Sequence, residues 1–406
     1  MSRLDVATRG QVFTPPAVVQ AMLALRRNRG RVLEPAAGNG AFTRELDDCL
    51  AIEVDAGHAP PGSLIMDFFA YPVSEHFQTV IGNPPYVRYQ DIHPDPALLL
   101  YSHLFDARSN LYLFFIEKAV RHLSSGGELI FITPRDFLKA TSAIRLNRWL
   151  FEQGTITDAI DLGDARVFSG AVPNCLIWRF EKGDFSRRCR YAELGFASDL
   201  ALGLAAPPWQ DRHFLEASGH LLFTRNQYPL HLRDLFSVKV GAVSGADDVY
   251  TSREFGNRQF VYSATATTGA TRPMIWQAPG SVRPHPALVP HKARLIGRRI
   301  RRYDESNWWQ WGRGYPETDA PRIYVNHKTR RPKPFFLHPC RNFDGAVLAL
   351  FPHAPDCDLA ALCAALNAVD WAELGFVCDG RFIFTQRSLE NAPLPTALRA
   401  FLCTAV

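Results

Sequence analysis

The sequence predicts an α/β domain on a doubly wound, mostly parallel sheet, followed by a β-rich α+β domain. Three observations carry this. Short apolar runs alternate with amphipathic stretches through the first half, the strand–helix–strand rhythm that builds parallel sheets. One run enters a glycine loop and another ends in Asn83-Pro84-Pro85-Tyr86, features suited to the carboxyl edge of such a sheet, where ligands bind. Beyond about Tyr228 the texture changes to short β-rich pieces, many prolines and clustered arginines. With 406 residues, 47% of them hydrophobic, the chain can bury two cores, and the boundary is expected between residues 227 and 228.

In chain order, Arg31-Val32-Leu33 is a strand leading into the loop Glu34-Pro35-Ala36-Ala37-Gly38-Asn39-Gly40, and Ala41 to Leu50 reads as the helix that follows. Ala51 to Asp55 is a second strand ending in carboxylates, and Ser63 to Phe69 a third that carries Asp67-Phe68. Phe77 to Gly82 is the fourth, because aromatic and β-branched residues run into a glycine and two prolines. Asn110 to Leu123 places Leu111, Phe114, Phe115, Ala119 and Leu123 at helical spacing, and Ser124-Ser125-Gly126-Gly127 stops it. Glu128 to Thr133 is a fifth strand and Pro173 to Phe180 one that closes the sheet. Leu200 to Pro208, rich in Ala, Gly and Pro, reads as a crossover.

Composition narrows the function classes. No apolar run approaches the length of a membrane span, and Met1 to Asp5 does not open a secretory signal. The eight cysteines include no Cys-x-x-Cys pair, a reduced, cytoplasmic pattern without a zinc framework, so no metal is expected. Pro339-Cys340 has the form of a cytosine-C5 nucleophile but stands far from any cofactor loop. The formal charge of +5 is uneven: from Arg225 onward there are 23 Lys and Arg against 15 Asp and Glu, and before it 22 against 25. A near-neutral front joined to a basic rear suggests an enzyme with a nucleic-acid-binding module, with a solvated surface as the alternative.

The chemistry concentrates at Asn83-Pro84-Pro85-Tyr86. Two prolines forbid a helix and fix an extended turn, so a carboxamide, backbone carbonyls and an aromatic ring are presented together. A planar amine with two N–H donors, stacked on a ring, is what such a site would hold. The glycine loop lets backbone approach a ligand closely. It lacks the third glycine of the dinucleotide fingerprint, and Glu34 within it would repel a pyrophosphate, so it suits a cationic ligand better than NAD. Glu53 is placed to accept from ribose hydroxyls, and Asp67 with Phe68 to bond an adenine amine and pack its ring; each carboxylate could equally be a cap or a solvated strand end.

The ordered set of segments resembles the gamma group of DNA adenine-N6 methyltransferases, the TaqI-like members of the N6/N4 aminomethyltransferase family. It comprises Val12-Phe13-Thr14-Pro15-Pro16, Val32 to Gly40, Ile52 to Asp55, Asp67-Phe68, Gly82 to Tyr86, Asn110-Leu111-Tyr112 with Phe115 to Lys118, and Gly163 to Phe168. The match covers roughly residues 10–180; Gly297 to Tyr303 and Asn326-His327-Lys328 are similar in style to the recognition domains of that group. The resemblance implies a Rossmann-like S-adenosylmethionine-dependent methyltransferase domain over 1–227 and a DNA target recognition domain over 228–406. Thr14, Glu34 and Ala36 would serve the amino-acid end of S-adenosylmethionine, Glu53 the ribose and Asp67 the adenine amine, with Gly38 also cofactor-binding and Val54, Phe68, Pro85 and Phe115 walling the adenine pocket.

By the same resemblance, the target is an adenine flipped out of double-stranded DNA. Tyr86 would stack on the base and Phe168 would contact its other side or edge, while the Asn83 side-chain oxygen and the Pro84 carbonyl would accept the two N6 hydrogens. Arg298, Arg299, Arg301, Arg302, Lys328, Arg330, Arg331 and Lys333 are the expected DNA contacts, mostly to phosphates, and Trp308, Trp309 and Trp311 read as core. A modification enzyme of a restriction-modification or related defence system, acting as a monomer, is implied, with a separate cognate restriction endonuclease as its possible partner and no fused nuclease. Cytosine-N4 methylation shares the chemistry, and protein-glutamine or RNA-guanine methylation the tetrapeptide; a non-enzymatic DNA-binding relic is the remaining alternative.

Overall fold

The computed structural model describes residues 12–88, 91–92, 102–105, 109–163, 168, 174–194, 200–354 and 356–402. The chain divides into two compact units, residues 1–226 and 227–406.

The first unit is organised by one ten-stranded sheet. Its strands are β1 (Val32–Glu34), β2 (Cys49–Glu53), β3 (Leu64–Ile65), β4 (Phe77–Gly82), β5 (Leu123–Pro134), β6 (Gly154–Asp161), β7 (Cys175–Lys182), β8 (Arg188–Glu193), β9 (Gln210–Ala217) and β10 (His220–Thr224). They lie in the order β10-β9-β8-β6-β7-β5-β4-β1-β2-β3. The run from β3 to β5 is parallel throughout, and β7 inserts antiparallel between β5 and β6. The order reverses between β1 and β4, the switch point at which open sheets leave a crevice for a ligand.

Both faces are covered, as the near-continuous apolar strands require. Along β5, Leu129 and Phe131 enter one core and Ile130 and Ile132 the other, the two-residue period of an extended chain. Helices α1 (Pro16–Ala24) and α4 (Leu200–Ala205) pack on the second face through Val18, Val19, Met22 and Leu204; α2 (Leu111–Arg121) and α3 (Ile144–Gln153) pack on the first through Leu113, Ile116, Leu146 and Leu150.

Three expected elements are corrected. Ala41 to Leu50 is one 3-10 turn, Thr43–Glu45, and Cys49 already belongs to β2. Phe42 and Leu46 give only one turn of apolar stripe, and Asp47 and Asp48 would place charge unfavourably at a helix C-terminus. The third strand is only Leu64–Ile65, because Asp67 accepts from the Phe69 amide at 2.8 Å and starts a 3-10 turn over Phe68–Ala70. Leu200 to Pro208 is not a crossover: it carries the short helix α4 between β8 and β9, which pair antiparallel as neighbours in the sheet. Pro173, at the start of the expected closing strand, lies outside the described residues.

The second unit is β-rich. Strands Phe236–Val240, Val347–Pro352, Ile323–Asn326 and Phe335–Phe336 form an antiparallel sheet in that order. Beside it, Trp276, Trp308, Trp309 and Trp311 pack with Tyr250 and Phe260 in a separate aromatic core, so the tryptophans are structural here.

Candidate active site

The carboxyl ends of β1, β2 and β4 gather the first unit's candidate residues. Beyond β1, Gly38 and Gly40 take positive φ of 54° and 77°. A Cβ on Gly40 would fall 2.8 Å from the Pro60 Cβ, so the tight turn requires glycine there on two counts. Glu53, at the end of β2, staples the loop: one carboxylate oxygen accepts from the Gly38 amide at 2.7 Å and the other from the Asp55 amide at 2.9 Å. Each oxygen keeps a second acceptor position.

Glu34 is buried, and one of its oxygens accepts from both the amide of Thr43, at 2.9 Å, and the Thr43 hydroxyl. Burial raises its pKa from 4.5 to about 7, partly offset by the Thr43 and Phe42 donors. The sequence offered no signal for Thr43; a buried carboxylate needs a donor, but which residue supplies it depends on the unforeseen 3-10 turn. Ala36 and Gly38 are half-buried in the same loop.

Asn83 follows β4. Its side-chain Nδ2 donates to the Val12 carbonyl at 3.2 Å and to the Thr14 hydroxyl at 3.3 Å. Its Oδ1 is buried with no hydrogen-bond partner among the described residues. An unmet buried acceptor costs about 1–3 kcal/mol, so it marks a place where a donor is missing. The orientation is set by Val12, whose carbonyl can only accept. Pro84 is buried and Pro85 half-buried.

The Tyr86 hydroxyl donates to the Ile132 carbonyl at 2.9 Å, which fixes its ring. Tyr112 and Phe168 meet that ring edge-on, with centroids at 6.1 and 6.4 Å and interplanar angles of 78°. Phe168 is therefore a direct neighbour of Tyr86, too close and too steeply inclined for a base to lie between the two; it also belongs to the second-face core. Of the segment Gly163 to Phe168, residues 164–167 lie outside the described residues.

Around the third carboxylate, Phe68 and Phe115 are buried with centroids 5.2 Å apart, and Phe69 meets Phe115 edge-on at 5.1 Å. Asp67 is exposed and caps the turn that carries these rings, while Val54 is 60% exposed. Lys118, on α2, donates to the carbonyls of Phe69 at 2.6 Å and Tyr71 at 2.8 Å, tying the turn to the helix. Burial lowers its pKa to about 8, with Asp67 acting in the opposite direction. The sequence placed Lys118 within a resembling segment without giving it this task.

In the second unit, one expected DNA contact is corrected. Arg298 is buried, and its guanidinium donates to the carbonyls of Leu295 at 2.9 Å, Trp308 at 2.6 Å, Gln310 at 2.9 Å and Ser244, while lying 3.9 Å from the Tyr303 ring centre. It organises the loop that carries the tryptophans: four of its five N–H donors are committed to carbonyls, and its burial keeps it from the surface where a phosphate would lie. Arg301 is half-buried on Gln310, and Arg331 bonds the Ala266 carbonyl. Arg299, Arg302, Lys328, Arg330 and Lys333 are exposed.

Part of the chain is similar to known proteins. Residues 61–168 match the family model of the Eco57I restriction-modification methylase. The chain is 34% identical over 197 residues to the type II methyltransferase M.TthHB8I of Thermus thermophilus, covering 43% of this chain and 45% of that protein. It is 28% identical over 187 residues to the type II methyltransferase M.HincII of Haemophilus influenzae, covering 43% and 37%. The chain thus spans less than half the length of these relatives. Among solved structures, a Listeria monocytogenes protein assigned to the class I S-adenosylmethionine-dependent methyltransferases aligns with a TM-score of 0.38 and 18% identity, over 46% of this chain and 65% of that one. Part of the first unit is accordingly similar to restriction-modification methylases, and the cofactor that goes with this similarity is S-adenosylmethionine. The residues present fit it: Glu34 and Glu53 are buried carboxylates, a donor set suited to a cationic ligand that carries hydroxyls, and Asn83 Oδ1 adds a buried acceptor without a partner among the described residues.

Proposed function

We propose that this chain is the modification methyltransferase of a restriction-modification or related defence system, transferring a methyl group to N6 of an adenine flipped out of duplex DNA. The observation that carries the reading is the buried Asn83 Oδ1, without a hydrogen-bond partner among the described residues, in the same turn as Tyr86, whose ring is anchored through its hydroxyl. The similarity to two type II methyltransferases supports it.

In this reading Glu34, with Thr14 and the Ala36–Gly38 backbone, holds the amino-acid end of S-adenosylmethionine; Glu53 holds the ribose, and Asp67 with Val54, Phe68, Pro85 and Phe115 the adenine. The cofactor supplies an electrophilic methyl group. Everything else falls to the chain. Tyr86 stacks on the extruded base, worth about 1–3 kcal/mol against the unstacking cost. Phe168, edge-on to Tyr86, borders the base at its rim. Asn83 Oδ1 and the Pro84 carbonyl accept the two N6 hydrogens, which pulls the amine lone pair out of conjugation and aims it for in-line displacement. Catalysis rests on positioning and electrostatics, without a covalent enzyme intermediate. The second unit would be the target recognition domain, with Arg299, Arg302, Lys328, Arg330 and Lys333 as phosphate or base-edge contacts. A monomer with a separate endonuclease partner completes the reading.

The test is mass spectrometry of nucleosides from duplex DNA incubated with the protein and S-adenosylmethionine, beside an Asn83→Ala control. N6-methyldeoxyadenosine formed only by the intact protein is expected. N4-methyldeoxycytidine would keep the site and change the base; no methylated nucleoside on varied DNA would overturn the reading.

A further inference from the structure

The resemblance assigns Thr14 to the cofactor alone, yet the Thr14 hydroxyl oxygen accepts from Asn83 Nδ2 at 3.3 Å. Resting on the reading above, we propose that Thr14 is a positioning residue for the Asn83 carboxamide, through which cofactor loading and acceptor geometry share one oxygen atom.

The two ends of a carboxamide are nearly equal in size, so packing alone does not decide which faces a ligand. A half-turn of the amide would put its N–H groups where an incoming amine also brings N–H groups, and the site would repel its target. The Val12 carbonyl at 3.2 Å opposes that turn, because it would face Oδ1 after rotation; the Thr14 hydroxyl opposes it as well once its own hydrogen is committed elsewhere and it can only accept. With Nδ2 occupied twice, Oδ1 remains buried and unmet, the state of an acceptor held ready. Both contacts come from a short segment that also touches the glycine loop, since the Phe13 ring lies 3.6 Å from where a Cβ on Gly38 would be. Segment 12–14 therefore bridges the cofactor loop and the catalytic turn.

A hydroxyl offers one hydrogen and two lone pairs. Accepting from Asn83 uses a lone pair and leaves the O–H to donate. Donation to the carboxylate at the cofactor's amino-acid end would polarise the oxygen and strengthen its hold on Nδ2, the mutual reinforcement of a hydrogen-bonded chain. The hydroxyl is then needed at saturating cofactor, and not only for capturing it.

Wild type, Thr14→Val, Thr14→Ala and Thr14→Ser are compared in single-turnover methylation of duplex DNA at saturating S-adenosylmethionine, with cofactor affinity and unfolding temperature measured in parallel. The saturated rate is expected to fall about tenfold in Thr14→Val and Thr14→Ala, the effect of one lost buried hydrogen bond, and to recover most of the loss in Thr14→Ser. Full wild-type rate at saturation with weakened cofactor binding would reduce Thr14 to a ligand and overturn the proposal. A Thr14→Ser rate as low as that of Thr14→Val would also overturn it, by assigning the effect to the methyl group. Wild-type protein that methylates no nucleoside would instead remove the reading on which the proposal stands.

Discussion

Replacing Asn83 with alanine should separate activity from stability. In the free protein the side chain makes two long bonds, at 3.2 and 3.3 Å, each worth about 0.5–1.5 kcal/mol net. Against them stands the unmet Oδ1, which costs about 1–3 kcal/mol. Truncation removes both sides of this balance, so the net change in stability is expected within about 1 kcal/mol, or about 2–4 °C in unfolding temperature for a unit of this size. The rate behaves otherwise. Removing one preorganised group that meets developing charge costs about 10²–10³ in rate, or 2.7–4 kcal/mol. Single-turnover methylation at saturating cofactor, equilibrium binding of S-adenosylmethionine and calorimetry on the same samples give the three numbers. A fall in cofactor affinity equal to the fall in rate would refute the reasoning, because Asn83 would then be holding the cofactor. An unfolding temperature that collapses with the activity would refute it too, because the acceptor would be structural.

Two further predictions concern charge. Arg298→Met should destabilise the second unit by about 3 kcal/mol or more, because four carbonyls lose a charged donor inside the protein. Neutralising the exposed Arg299, Arg302, Arg330 and Lys333 together should leave unfolding nearly unchanged while lowering the slope of log affinity for DNA against log salt by about 0.9 for each phosphate no longer neutralised. The opposite pattern, a stable Arg298→Met with a shallower salt slope, would restore Arg298 to the DNA surface. Glu34 should produce a pH signature. Its folded pKa of about 7 lies above its ordinary 4.5, so the folded state holds the proton longer; this contribution to stability is complete below about pH 4.5 and lost as pH rises through 7. Glu34→Gln should therefore unfold at a higher temperature than wild type at pH 8, with the gap closing toward pH 5. On the proposed role of Glu34 toward the cofactor's ammonium, cofactor affinity should rise across about pH 6 to 8 in wild type, as the carboxylate forms, and stay flat in the variant; parallel pH profiles would exclude Glu34 from that role.

The sheet was legible because its signal is local: apolar runs of strand length, bounded by glycine and proline, mark β1, β4 and β7 within two residues and the apolar body of β5, which starts five residues earlier than expected, at Leu123, and takes in Ser124 to Gly127. The turn at Asn83 was legible because two prolines leave the backbone few choices. What escaped was set by partners distant in sequence. Residues 41–50 carry one turn of helical pattern, and nothing nearby reveals that Thr43 is drawn to the buried Glu34. Asp67 could be a ligand or a cap on sequence alone; its bond to the Phe69 amide makes it an exposed cap. Arg298 looked like its neighbours in a basic run. Only the packing separates it, since the loop that carries Trp308 and Gln310 folds back around one guanidinium and leaves Arg299 and Arg302 outside.

The hold on Asn83 also has a kinetic meaning. The bonds to Val12 and Thr14 join residues 71 and 69 positions apart, across the whole β1-to-β4 region, whereas the staple between Glu53 and Gly38 spans 15. Contacts of such separation are bought with loop-closure entropy and are slow to form, so the acceptor is assembled by the long-range architecture and not by the turn in which it sits. A chain that has paired β1 with β4 but has not yet laid residues 12–14 across them possesses the sheet and the tetrapeptide, and still no oriented amide. Competence for chemistry is in this sense a report on the completeness of folding, read out at a single side chain.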